Sequence, residues 1–212
     1  MLPVPEPFAP VLPREGLQRG TTLVTSGPAA VSLALGLVAA VTTSGSWVAV
    51  VGLSDLGLVA AAELGVDLER ILLVAEPGPD SWPTVVAALL DAVEVVLLRP
   101  PGPLAATTHR RLLSRARERG SVLVQVGGEV GSWPTAPDLT MSSSDPRWTG
   151  LEAGHGHLMA RQVAVSVAGR RGAVRPRRTR LWLPAPGGGV SAVAEAVSPA
   201  PVVSTSGLRA LA

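Results

Sequence analysis

Apolar runs of strand length alternate with segments of helix length through the first 126 residues, and the strand runs lack any polar alternation. The runs cover residues 21–25, 47–51, 71–75, 93–98 and 122–126, and helices are predicted over 28–41, 55–64, 81–92 and 104–119. Strands that are apolar throughout are buried on both faces, and strands that alternate with helices pair in parallel. The expected fold is therefore α/β, a mostly parallel sheet flanked by helices. Ser81 is the predicted N-cap of the third helix, with Pro83 in its first turn, and Gly120 stops the fourth.

Beyond Gly127 the pattern changes. No long helix is indicated, and short alternating strands at 139–143, 163–168 and 179–183 predict antiparallel strands towards the C-terminus. One domain is expected over 15–183. Residues 1–14, with five prolines, are expected to be a flexible N-terminal segment, and residues 184–212, rich in Gly, Pro, Ala and Ser, a flexible C-terminal tail. The most apolar stretch, 29–41, falls short of the roughly 20 residues that span a bilayer and predicts a buried helix. With no signal-peptide pattern at the start, a cytoplasmic protein without membrane contact is expected.

Residue usage excludes several chemistries. Without cysteine there is no disulfide framework, thiol nucleophile or cysteine-ligated metal. All 18 basic residues are arginine, so no lysine forms a Schiff base or grips a phosphate. The first strand, its glycine turn and the following helix place Ser26, Gly27, Pro28, Ala29, Ala30 and Ser32 where a phosphate loop would lie, and the helix N-terminus there could attract an anion. The second glycine and the lysine of a working loop are missing. At the end of the strand 93–98, where an acid should hold magnesium, stands Arg99. His155-Gly156-His157 could chelate a metal, but a glycine turn between strands is the favoured reading. No G-x-S-x-G elbow occurs. The expectation is a non-enzyme with no cofactor and no metal.

Charge is unevenly placed. Residues 1–98 sum to −7, residues 99–119 to +5 and residues 147–180 to +7. At about 100° per residue the helix 104–119 packs Leu112, Leu113, Ala116 and Ala105 on one arc and spreads Arg110, Arg111, Arg115, Arg117 and Arg119 over the remainder. The second basic run comprises Arg170, Arg171, Arg175, Arg177, Arg178 and Arg180. Guanidinium forks match phosphate and carboxylate alike, so a solvated face, DNA and an acidic protein partner all remain open. Trp133 and Trp148 are expected in loops, where they could anchor a partner.

The segment Glu63-Leu64-Gly65-Val66-Asp67-Leu68-Glu69-Arg70-Ile71-Leu72-Leu73 resembles a stretch of the RecA recombinases that reads roughly KLGVDIDNLL. The Gly27-Pro28 turn, the Gly45 break and Ala92-Val93-Glu94-Val95-Val96-Leu97-Leu98 follow in the same order. The resemblance implies a RecA-like fold over residues 15–126. Against that family the phosphate-loop region is shorter, the catalytic glutamate falls at Gly52-Leu53-Ser54 beside Asp55, and the magnesium-binding aspartate aligns with Arg99. The chain is more similar still to the short RecA-like accessory proteins of actinobacterial mutasomes, the ImuA type. Trp148-Thr149-Gly150-Leu151, Gly154-His155-Gly156-His157-Leu158 and Leu181-Trp182-Leu183-Pro184 carry that likeness.

This likeness implies a non-catalytic adaptor of the DNA-damage response that supports error-prone translesion synthesis. Its implied partners are an inactive Y-family-like polymerase protein, an error-prone C-family polymerase and DNA. Two alternatives stay open: an SOS-type regulator that inhibits cell division, and a residual nucleotide-binding protein.

Overall fold

The structure, a computed structural model, describes residues 1–128, 134–152, 155–170 and 175–194. A single sheet is built from β1 (Thr22–Ser26), β2 (Val48–Val51), β3 (Ile71–Val74), β4 (Val95–Leu98), β5 (Val122–Val126), β6 (Leu139–Glu152), β7 (His155–Gly169), β8 (Arg177–Trp182) and β9 (Ser191–Ala192). Its strand order is β3-β2-β4-β5-β1-β6-β7-β8-β9. Six strands run parallel from β3 to β6, and β7, β8 and β9 continue antiparallel. The expected α/β class and antiparallel C-terminal extension hold.

Helices α1 (Ala30–Thr43) and α2 (Leu58–Glu63) cover one face, and α3 (Trp82–Ala92) and α4 (Ala106–Arg119) the other. The central strands divide between two cores. Val48, Val50, Val95 and Leu97 face α1, whereas Ala49, Val51, Val96 and Leu98 face α3 and α4. Burial on both sides is why these strands show no polar alternation. In α1, ten of 14 residues are buried, so it is a core helix. No helix among the described residues is long and apolar enough to cross a membrane. Gly120 closes α4 in the left-handed conformation, φ 70°. Ser81 sits at the N-cap of α3 without capping it: its hydroxyl donates to the Gly78 carbonyl instead.

Two expectations fail. Residues 1–14 are ordered: a 3-10 helix over Glu6–Val11 buries Phe8 and Val11, and Leu2 and Leu17 exchange backbone hydrogen bonds of 2.8 and 3.1 Å. Phe8, Leu12 and Leu17 are fully buried. The cause lies in the antiparallel extension, whose inner residues Val163, Val165, Val167, Leu181 and Leu183 have no long helix of their own to cover them. The proline-rich segment and α1 share that task; burying one phenylalanine contributes about 3 kcal/mol. Residues 184–194 are also ordered, since Ala185 is buried and β9 pairs with β8. The rest of the expected tail, 195–212, lies outside the described residues, as do Trp133 and Arg171.

The β6–β7 hairpin is much longer than the predicted 139–143 and 163–168. Trp148 is within β6, not a loop, and His155-Gly156-His157 begins β7 instead of forming a turn.

Candidate functional site

The phosphate-loop residues do assemble. Ser26 ends β1, Gly27 and Pro28 turn the chain, and Ala29, Ala30 and Ser32 enter α1. Gly27 adopts φ 85°, and a Cβ there would overlap the carbonyl oxygen of Ser143 on β6. The Ser143 hydroxyl accepts from Ala29 N–H at 2.9 Å and donates to Ser26 O at 3.0 Å. Ala30 N–H donates to Gly27 O at 3.1 Å, and Pro28 has no N–H. The amides of residues 28–30 are thus spent or absent, and the N-terminus expected to attract an anion at Ala29 is taken by a neighbouring hydroxyl.

Arg161 stands beside the first turn of α1 and is 8% exposed. Its Nη2 donates to Ser32 Oγ at 2.7 Å, its Nε to Leu183 O at 3.0 Å, and its guanidinium lies 4.8 Å from the centroid of the Trp148 ring. Burial lowers its pKa from the usual arginine value. Sequence reading passed over Arg161, although it shares the odd-numbered, inward parity of Val163, Val165 and Val167 on the same strand. Trp148, 42% exposed, covers it from outside.

At the ends of β2 and β4 the Arg99 guanidinium pairs with Asp55 at 2.9 Å, and Arg99 N–H donates to Val51 O at 2.9 Å. Where the RecA resemblance puts acidic chemistry, the structure has an exposed ion pair. No group of three or more His, Cys, Asp or Glu among the described residues could hold a metal ion.

The arginine face of α4 is only partly open. Arg115 Nε donates to Asp91 Oδ1 at 2.8 Å with a second, shorter contact from Nη2, and Arg119 Nε donates to the same carboxylate at 3.0 Å. These guanidinium groups hold the Asp91 carboxyl below the usual range. Arg117 lies 4.0 Å from Asp138. Arg110 and Arg111 are exposed and make no ion pair among the described residues. Between α3 and α4 runs a groove of about 700 Å³, whose charged lining is Arg110, Arg111, Arg115, Asp91 and Glu118.

In the second run, Arg180 pairs with Asp145 at 2.7 Å, and Arg177 Nη1 donates to Leu12 O at 2.8 Å. Arg170 donates to the Ala136 carbonyl, and Arg175 and Arg178 are exposed. The opposite arc of α4 hides a residue of the predicted helix that the sequence analysis assigned to neither arc: His109 is fully buried, and burial pushes its imidazole down to about 4. Its angle, close to those of Leu112, Leu113 and Ala116, was a signal for that burial.

Comparison with known proteins adds three findings. The family described as MT3502 N-terminal domain matches residues 10–135. The uncharacterized protein Rv3395c of Mycobacterium tuberculosis is 40% identical over 114 residues, 53% of this chain and 54% of the relative. The chain therefore spans about half the length of that relative. The crystal structure of the RadB recombinase superposes with a TM-score of 0.59 at 14% identity, covering 84% of this chain and 93% of that one. The fold is RecA-like, in keeping with the ImuA-type resemblance of the sequence, and the chain belongs to the MT3502 N-terminal domain family.

Proposed function

We propose that the protein is a non-catalytic RecA-fold adaptor of the DNA-damage response, acting in the cytoplasm and supporting error-prone translesion synthesis by binding an inactive Y-family-like polymerase. The observation that carries this reading is the closed phosphate loop: Ser143 takes the amide that a nucleotide would need, and Arg99 with Asp55 replaces the acids that would hold its metal. A RecA fold without a working nucleotide site retains its surfaces, and binding is what surfaces can do.

The partner surface we assign is the outer face of α4, where Arg110 and Arg111 border the groove against α3. Asp91 already holds Arg115 and Arg119, so Arg110 and Arg111, which make no ion pair among the described residues, supply the positive charge of that rim, with Glu118 as the other acid beside it. An acidic segment of the polymerase-like protein fits it by charge.

Co-purification tests the assignment. Arg110→Glu with Arg111→Glu should abolish capture of the co-expressed partner at an unchanged melting temperature; undiminished capture removes this face from the adaptor. Millimolar ATP with magnesium should leave the melting temperature unmoved, because only a ligand of the folded state stabilises it. A clear upward shift would restore the nucleotide-binding alternative.

A further inference from the structure

At the end of the sheet opposite the closed loop, where β1, β5 and β6 begin and β7 ends, four separate stretches of chain bring their arginines together. A Cβ on Gly120 would lie 3.7 Å from Arg19 Cβ, and one on Gly20 would lie 3.2 Å from Arg117 Cα. The residues leading into β1 therefore lie against the last turn of α4. Arg117 reaches to 4.0 Å from Asp138, and Arg170 N–H donates to the carbonyl of that same Asp138 at 3.1 Å. Arg177 is fastened to Leu12, two residues before Arg14. Arg14 in turn borders a cavity of about 330 Å³ shared with Asp138 and Leu139.

One surface thus carries Arg14, Arg19, Arg117, Arg170 and Arg177, with Arg175 and Arg178 at the start of β8. The acids beside it do not balance it. The Asp138 carboxylate is buried and accepts from Thr22 N–H at 3.0 Å and from its hydroxyl at 2.9 Å, and Glu15 and Glu118 are exposed neighbours in sequence of Arg14 and Arg117.

We propose that this end of the sheet binds the phosphate backbone of duplex nucleic acid. Planar guanidinium forks meet phosphate oxygens in pairs, and a row of them neutralises a polyanion without reading bases. A protein partner would need buried apolar or aromatic anchors at the centre of its interface. Here the only large exposed apolar side chain adjoining the surface among the described residues is Met1, beside Gly16. The other exposed large apolar side chains among the described residues lie elsewhere: Trp148, Leu151, Leu158 and Met159 on the β6–β7 hairpin, and Leu58, Val59, Leu68, Leu72 and Leu73 from α2 to β3. Trp47 is occupied by Arg70, which stacks 5.3 Å from its ring centroid. Without aromatic platforms the surface suits a paired backbone and not unpaired bases.

The site deepens the adaptor reading and rests on it for DNA as the polyanion at hand, but its residues are distinct from Arg110 and Arg111. The test is titration of a short labelled DNA duplex with the full chain across a salt series. We expect log affinity to fall linearly with log salt, by about 0.9 for each phosphate neutralised. The triple reversal Arg14→Glu, Arg19→Glu and Arg178→Glu removes exposed side chains that make no ion pair among the described residues. It should reduce that slope by about 3 and weaken binding by about tenfold or more at physiological salt. Arg110→Glu with Arg111→Glu should leave duplex binding as it is.

Should the reversal lower the melting temperature, the neutral triple Arg14→Gln, Arg19→Gln and Arg178→Gln is read in its place. No duplex binding at low salt, binding indifferent to salt, or wild-type binding by a folded triple variant overturns the proposal. So does preference for a polyglutamate peptide over the duplex, which would make the face an acidic-protein surface. A flat titration with partner capture intact sinks this site alone, and lost capture with duplex binding intact sinks the adaptor reading alone.

Discussion

The two ends of β1 treat their charges in opposite ways. At its C-terminal end, polar groups are engaged within the protein: Ser143 bonds both Ala29 and Ser26, Arg161 bonds Ser32 and Leu183, and at the surface Arg99 pairs with Asp55. At its N-terminal end, Arg14, Arg19, Arg175 and Arg178 project into solvent with no such partners among the described residues. The difference teaches that an α/β sheet can engage the polar groups at the end where its loops converge and still leave charge exposed at the other. At the first end the polar side chains are engaged by neighbours within the fold, Ser143 and Arg161 buried and Arg99 with Asp55 at the surface. The second carries side chains that stability does not require.

The largest expected effect breaks the closed end. Gly27→Ala combines a left-handed backbone with overlap of the Ser143 carbonyl, and should lower unfolding free energy by about 3 to 4 kcal/mol in denaturant titration. A loss within experimental error would mean that β6 does not press on the loop.

His109, beneath the first residues of β1, sets the acid sensitivity of the open end. Its folded pKa is depressed, so between about 6.5 and 4 the unfolded chain takes up a proton that the native one refuses. Stability should therefore fall as pH drops through that window, by about 3 kcal/mol in all, and level off below it. His109→Leu should flatten the dependence there. The Asp91 and Asp145 pairs act below this window, since arginine contacts lower both carboxyls and their contribution is lost only as pH falls beneath the usual aspartate value.

Ser143→Ala leaves one buried N–H and one buried carbonyl unpaired, and should cost about 2 kcal/mol. The freed Ala29 amide makes inorganic phosphate the sharper probe: a melting shift seen with the variant and absent from the wild type would show that the hydroxyl is what closes the site. Smallest of all is Asp55→Asn. The Arg99–Asp55 pair is exposed, and its loss should change stability by about 0.5 kcal/mol or less. A larger loss would mean that the pair is part of the closed core and not a surface remnant.

Much of the parallel half was legible because its central strands are buried on both faces, which writes itself into the sequence as unbroken apolar runs: β4 was expected at 93–98 and is Val95–Leu98, and β5 matched its predicted bounds. The antiparallel half was read short. Its outer stretch, with residues 144–151 and 155–159 largely exposed, has no apolar period to mark it as strand. The N-terminal prolines pointed to flexibility, whereas the 3-10 helix that buries Phe8 packs against β8 and β9, which lie more than 160 positions along the chain. At the candidate site, the residues of the loop were legible and its closure was not, because Ser143 stands among polar neighbours that nothing local distinguishes.

By itself the sequence determined the alternation of strands and helices, the absence of lysine and the cation at Arg99, since these depend on residue identity and local period. Only the tertiary structure decided that Ser143 seals a loop 114 positions away, and that Arg14, Arg19, Arg117 and Arg170 share one surface. Both follow from strand order. Seating β6 against β1 brings one end of that strand to the phosphate loop and the other to the arginines, and no local pattern records which strands become neighbours.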